Sequence, residues 1–131
     1  MKRFVQVSLL VLCCVATGGC RTAALVDPAP IQYESTGSKK TRNAIVRAMA
    51  NRGWTVQSES SGEIVARNLV RGKHEVVVRI TYSRDEVDIA YVSSRNMKYD
   101  GSAQTIHKNY NNWVQFLAED IRRELTILST R

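Results

Sequence analysis

The residues best suited to recognition chemistry crowd into one stretch near the C-terminus. Asn96, Lys98, Tyr99, Asp100, Gln104, His107, Asn109, Tyr110, Asn111 and Asn112 all fall between positions 96 and 112. Asparagine, tyrosine and histidine each supply hydrogen-bond donors and acceptors, which suits adaptable binding of a glycan or a peptide. A run of asparagines also works against the helix that its neighbours demand, and local rules tend to fail at functional sites. Two readings stay open. Asn96, Lys98, Tyr99, Asp100, His107, Asn109, Tyr110 and Asn112 form a partner-binding surface, or these side chains tie a loop to a helix start and a sheet edge.

Catalytic patterns are absent from the sequence. No serine sits in a Gly-x-Ser-x-Gly turn, and no glycine-rich phosphate loop is present. His74 and His107 are the two histidines. Neither has a second ligand at i+3 or i+4 with supporting carboxylates, so neither a metal nor a cofactor is expected. His74 reads as a half-exposed strand start, and His107 as a residue on the first turn of the last helix. Asp100 with Glu119 or Glu63 could meet as a carboxylate pair, but with 12 acidic residues that possibility discriminates little. A noncatalytic module is the leading expectation. An enzyme acting on glycan or peptide, with Asp100 and His107 as acid and base, is the alternative, and a purely structural envelope domain is the third.

The cysteines point to an address. Met1-Lys2-Arg3 is a short positive start, Phe4 to Ala16 is an apolar run, and Thr17-Gly18-Gly19-Cys20 follows. That order is the pattern of a secretory signal peptide. The apolar run is shorter than the roughly 20 residues a membrane-spanning helix needs. Cys13 and Cys14 would leave with the signal, so the mature chain keeps Cys20 alone and cannot form an internal disulfide. Gly18, Gly19 and Cys20 resemble the lipobox of bacterial lipoproteins, with Thr17 in place of the usual aliphatic residue. The resemblance implies cleavage before Cys20, a diacylglycerol on its sulfur and an acyl chain on its amine. Such anchoring is stable, because more than one chain enters the bilayer. Arg21, rather than aspartate, follows the cysteine. In that pattern this implies the periplasmic face of the outer membrane rather than the inner membrane.

The balance of charge narrows the neighbours. The chain of 131 residues carries a formal net charge of +7. Loss of Lys2 and Arg3 would leave 17 basic against 12 acidic residues. An excess of cations attracts nucleic acid, membrane surfaces or acidic polymers. Export argues against nucleic acid and favours lipid headgroups and cell-wall polymers. The basic residues Lys39, Lys40, Arg42, Arg47 and Arg52 of the first helix, with Arg67, Arg71, Lys73 and Arg79 beyond it, read first as a solvated surface.

The elements that must position these groups follow from periodicity. Residues 1–19 read as the signal and 20–37 as a lipidated tether, in which Asp27-Pro28-Ala29-Pro30 favours extended backbone. Residues 38–131 read as one domain. Ser38 is the expected cap of a helix over 39–52, which Gly53 stops. Four strands follow, over 54–59, 63–70, 74–82 and 87–92, separated by turns at Ser60-Ser61-Gly62, Arg71-Gly72-Lys73 and 83–86. Val76, Val78, Ile80 and Tyr82 alternate inward, as do Val87, Ile89 and Tyr91. Residues 63–70 alternate ambiguously. Val77, Ala90 and Val92 are expected on the exposed face, where they leave oligomerisation open. Arg79 is placed diagonal to Asp88. A polar loop over 93–104 precedes a long helix over 105–128, whose apolar stripe is Tyr110, Trp113, Val114, Leu117, Ile121, Leu125 and Leu128. The order α-β-β-β-β-α predicts an α+β two-layer sandwich: a four-stranded antiparallel meander with both helices on one face.

Arg52-Gly53-Trp54, the run Asn96-Met97-Lys98-Tyr99-Asp100-Gly101, Ile106-His107, Asn109-Tyr110-Asn111 and Trp113-Val114 resemble a family of small, uncharacterised proteobacterial lipoproteins. The resemblance spans most of the chain. It implies a periplasm-facing lipoprotein and carries no substrate, cofactor or reaction. The expected partners are the membrane, through the lipid, and an envelope protein or cell-wall glycan.

Overall fold

The computed structural model describes residues 21–131. Expectations about the signal peptide and about Cys20 concern residues outside that range. Among the described residues the elements run β1 (Thr22–Ala24), β2 (Ile31–Gln32), α1 (Ser38–Asn51), β3 (Trp54–Ser60), β4 (Glu63–Val70), β5 (His74–Tyr82), β6 (Glu86–Arg95), β7 (Thr105–His107) and α2 (Asn109–Ser129). The class is α+β. Its main sheet is antiparallel with strand order β2-β6-β5-β4-β3, and β1 pairs with β7 in a second, two-stranded sheet.

The inner face of the sheet and both helices bury one core. Ile64, Ala66, Val76, Val78, Ile80, Val87 and Ile89 line it from the strands, and Ala44, Ile45, Ala48, Met49, Tyr110, Val114, Leu117, Ile121 and Leu125 from the helices. The ambiguous strand β4 resolves with Ile64 and Ala66 inward, because Ile64 lies opposite Ile80 and Ala66 opposite Val78. Burial of the partner's apolar side fixes that register.

Arg52-Gly53-Trp54 acquires a physical account. Gly53 takes a positive φ of 76° and donates its amide to the Ala50 carbonyl, ending α1. Trp54 enters the core. Arg52 turns back to the second helix, its Nε donating to Asp120 at 2.6 Å with its guanidinium 5.1 Å from the Phe116 ring centre. Ser38 does not cap α1. Gly37, at φ 93°, occupies the cap position without a side-chain bond, and its carbonyl accepts from Thr41.

Four further expectations are corrected. The sheet has a fifth strand, β2, on the edge that the meander left open at β6. The stretch after Cys20 is docked rather than loose. β1 pairs with β7 from Thr22↔His107 to Ala24↔Thr105, Ile31 is buried opposite Val87, and the Asp27 carboxylate accepts from Tyr110 Oη at 2.5 Å and from the Tyr91 amide at 3.1 Å. Residues 105–107 form a strand, not the first turn of the last helix, so His107 is a strand residue and α2 starts at Asn109. Val77 is buried rather than exposed, at a register irregularity between Val77 and Val78 in the pairing with β6 that breaks the alternation. Ala90 is half-buried and Val92 exposed. Arg79 is diagonal to Asp88, as expected from the register, but its ion-pair partner is Glu63 at 3.4 Å.

Candidate functional site

The eight singled-out residues divide into two groups with different work. Tyr110, Tyr99, Asp100 and Asn112 do not share a surface with the rest. Tyr110 is fully buried. Its ring meets Tyr91 edge-on at 5.5 Å, and its hydroxyl donates to Asp27. Burial, and then the bond to the Asp27 carboxylate, push its ionisation far above the ordinary phenol value. Tyr99 packs on Tyr91 with ring centres 4.6 Å apart. The Asp100 carboxylate accepts the amides of Ser102 and Ala103, a local turn that occupies it. Asn112 is exposed at the helix start. Asn111, left out of the set, is structural too: it donates to the Ala24 carbonyl and accepts from the Val26 amide.

The second group gathers at one end of the molecule. Asn96, Lys98, His107 and Asn109 line two adjoining cavities of about 230 Å³ and 580 Å³. Both cavities share His74 and His107, and the remaining lining comes from Arg21, Val70, Arg71, Lys73, Met97 and Trp113. Three connections bring these residues together. The β4–β5 turn carries Arg71 and Lys73. Asn96 bridges to that turn, donating Nδ2–H to the Lys73 carbonyl at 2.9 Å, while its own carbonyl accepts from His74 Nδ1 at 2.8 Å. The Met97 carbonyl accepts the His107 amide at 2.7 Å, and the Arg21 carbonyl accepts the Lys108 amide at 2.9 Å. Met97 is buried and forms the floor.

The imidazoles of His74 and His107 face each other with centres 6.4 Å apart. The bond to Asn96 makes Nδ1 of His74 the donor. His107 is the other tautomer, because its Nδ1 accepts the Asn109 amide at 3.3 Å and its Nε2 carries the proton. Burial first, then the positive fields of His74, Lys98, Arg21 and Lys108, hold the His107 pKa below its ordinary 6.5. Among the described residues no acidic side chain lines either cavity.

The backbone around this cleft is held in unusual conformations. Four non-glycine residues among those described have positive φ, and three of them, Arg71 at 55°, Asn96 at 57° and Lys98 at 51°, line the cleft. Side chains other than glycine and asparagine enter this region at a cost of roughly 1–2 kcal/mol. The cost is carried here by the Asn96 bonds and by packing of Met97.

Two imidazoles, two lysines and two arginines offer many donors and a concentrated positive potential. Among the described residues, no cluster of three His, Cys, Asp or Glu gathers that could hold a metal ion, and neighbouring cations would repel one. Sequence spacing missed Arg21, Arg71, Lys73, His74, Met97 and Trp113 as members of this site. Their meeting depends on a strand pairing and a turn that lie up to 86 positions from one another in the chain, between Arg21 and His107. One signal was available: two histidines and several cations at predicted turns and element ends. The chain matches no protein-family model, no curated protein and no solved structure.

Proposed function

We propose that this chain is a noncatalytic envelope lipoprotein, lipidated at Cys20, facing the periplasm from the outer membrane, whose recognition surface is the cleft of Asn96, Lys98, His107 and Asn109 with His74. One observation carries the reading. Three cations that form no ion pair, Arg21, Lys73 and Lys98, line a concave site with both imidazoles at the end of the molecule where Arg21 lies. Several arginines elsewhere are paired: Arg42 with Glu59, Arg47 with Glu124, Arg52 with Asp120 and Arg67 with Glu75. Asp100 does not line the cavities that His107 lines and so does not supply it with a carboxylate partner, which disfavours the acid–base alternative.

In-cell photo-crosslinking tests this reading. A photoreactive residue at Lys98 on the cleft rim is compared with one at Arg47 on α1. A specific adduct at Lys98 alone is the expected result, and analysis of the adduct defines its class. Equal crosslinking at both sites, or none at either, sinks the recognition surface.

A further inference from the structure

From Arg21 onward the chain is bound into the fold. The Arg21 carbonyl is bonded to the Lys108 amide, and the next residue, Thr22, is paired with His107. A lipid on Cys20 would therefore leave the domain within one residue of Arg21, whose side chain lines the larger cavity. On that geometry the bilayer lies at the mouth of the cleft rather than nanometres away.

The mouth is cationic. Arg21, Lys73 and Lys98 line it with both imidazoles, and Arg71 continues it into the smaller cavity. Among the described residues no carboxylate lines either cavity. The nearest acidic residue on β5, Glu75, is bound to Arg67 at 2.5 Å and to Arg95 at 3.4 Å. Like charges held together in the absence of a counter-charge destabilise one another, and an anion relieves that repulsion. His107 Nε2–H and the ammonium groups are donors, and a phosphate oxygen is the acceptor that best matches several donors of this kind.

We propose that the cleft binds the phosphodiester headgroup of an anionic phospholipid in the same leaflet that holds the Cys20 lipid. This rests on the lipoprotein reading above and adds the ligand class. The phosphate would sit between His74 and His107, with Lys73, Lys98 and Arg21 closing around it. Binding takes up a proton, because an anion beside His107 favours its charged form. Binding therefore strengthens as pH falls, with His74, Lys98, Arg21 and Lys108 opposing protonation of the empty site.

Native mass spectrometry of the full chain, released from nanodiscs of mixed phosphatidylglycerol and phosphatidylcholine, tests the site. Intact mass of the same sample reads lipidation at Cys20 directly, so failure of the anchor and failure of the cleft are separate results. One retained phosphatidylglycerol per chain, in preference to phosphatidylcholine, is expected. Lys73→Gln with Lys98→Gln should lower that retention by about tenfold or more, given the contribution of each cation at an anionic surface. Lys39→Gln on α1 should leave it unchanged. His107→Gln should abolish its rise on acidification while the chain stays folded by circular dichroism. Competition with inorganic phosphate distinguishes the source: displacement of the lipid would mean a phosphate site that also accepts free phosphate, and no displacement a headgroup site. Equal retention of both lipids, or retention indifferent to the two lysines, would overturn the proposal.

Discussion

At the scale of single residues, hydrogen bonds to one buried and one half-buried carboxylate mark side chains that hold the fold together. Asp27 and Asp120 are the two anchors. Asp120 is 4% exposed and receives Arg52 and Arg123. Asp27 receives Tyr110, a bond that joins the segment after β1 to the start of α2. Tyr110→Phe keeps the ring in the core and removes only the donor, leaving Asp27 short of a partner. A loss of about 1–3 kcal/mol in unfolding free energy is expected, read from urea denaturation with an unchanged m-value. A neutral result would mean that water replaces the phenol at Asp27. The Asn111 amide is likewise occupied within the fold, by Ala24 and Val26.

At the scale of elements, the decisive feature is the segment 21–37. A sheet edge left open at β6 would present unpaired backbone groups, a template for association with other chains. Here β2 pairs with β6, Asp27 caps the Tyr91 amide, and the Leu25 amide donates to Gln104 at 2.8 Å. The segment is a cover rather than a leash. Ile31 supplies most of its apolar contact, being 2% exposed. Ile31→Ala should cost about 2–5 kcal/mol, the range for a large-to-small change in a packed site. Hydrogen exchange gives an independent check. The amides of Leu25, Tyr33 and Lys108 are expected to be protected like those of β5. Exchange at free-peptide rates would restore the picture of a loose tether.

At the scale of the whole molecule, two perturbed groups set the response to acid. His107 has its pKa lowered, mainly by burial. Asp120 has its pKa lowered below 3.8, chiefly by its bond from Arg52. In both cases the unfolded chain binds the proton more readily than the folded one, so stability rises with pH. The His107 contribution is intact above its ordinary 6.5 and is lost as pH falls from there through its folded value. The Asp120 contribution is intact above 3.8 and disappears below. Urea midpoints should therefore fall between about pH 7 and about pH 5. His107→Gln should flatten the decline in that window, and Asp120→Asn should remove the second step. A midpoint that does not change with pH in wild-type protein would contradict both assignments. The formal net charge of +7 adds general repulsion at low pH, in the same direction.

What the amino-acid sequence determined by itself was everything governed by local periodicity. Val76, Val78 and Ile80 alternate, Tyr110 to Leu125 recur at helical spacing, and Gly53 and Gly62 stop or turn the chain, so the α+β class, two helices and the central strands were legible. These signals survive because each depends on neighbours within a few positions. Only the tertiary structure decided what depends on distant partners. Residues 22–24 and 31–32 carry too few side chains to announce strands, and become strands because β7 and the β6 edge are there to pair with them. Residues 105–107 read as helix until that pairing claims them. The cleft is the same case. His74 and His107 are 33 positions apart and Arg21 a further 53 before His74, so their joint chemistry exists only once sheet register and a clamped N-terminal strand place them at one end. Spacing along the chain cannot encode a meeting that loop closure and backbone pairing create.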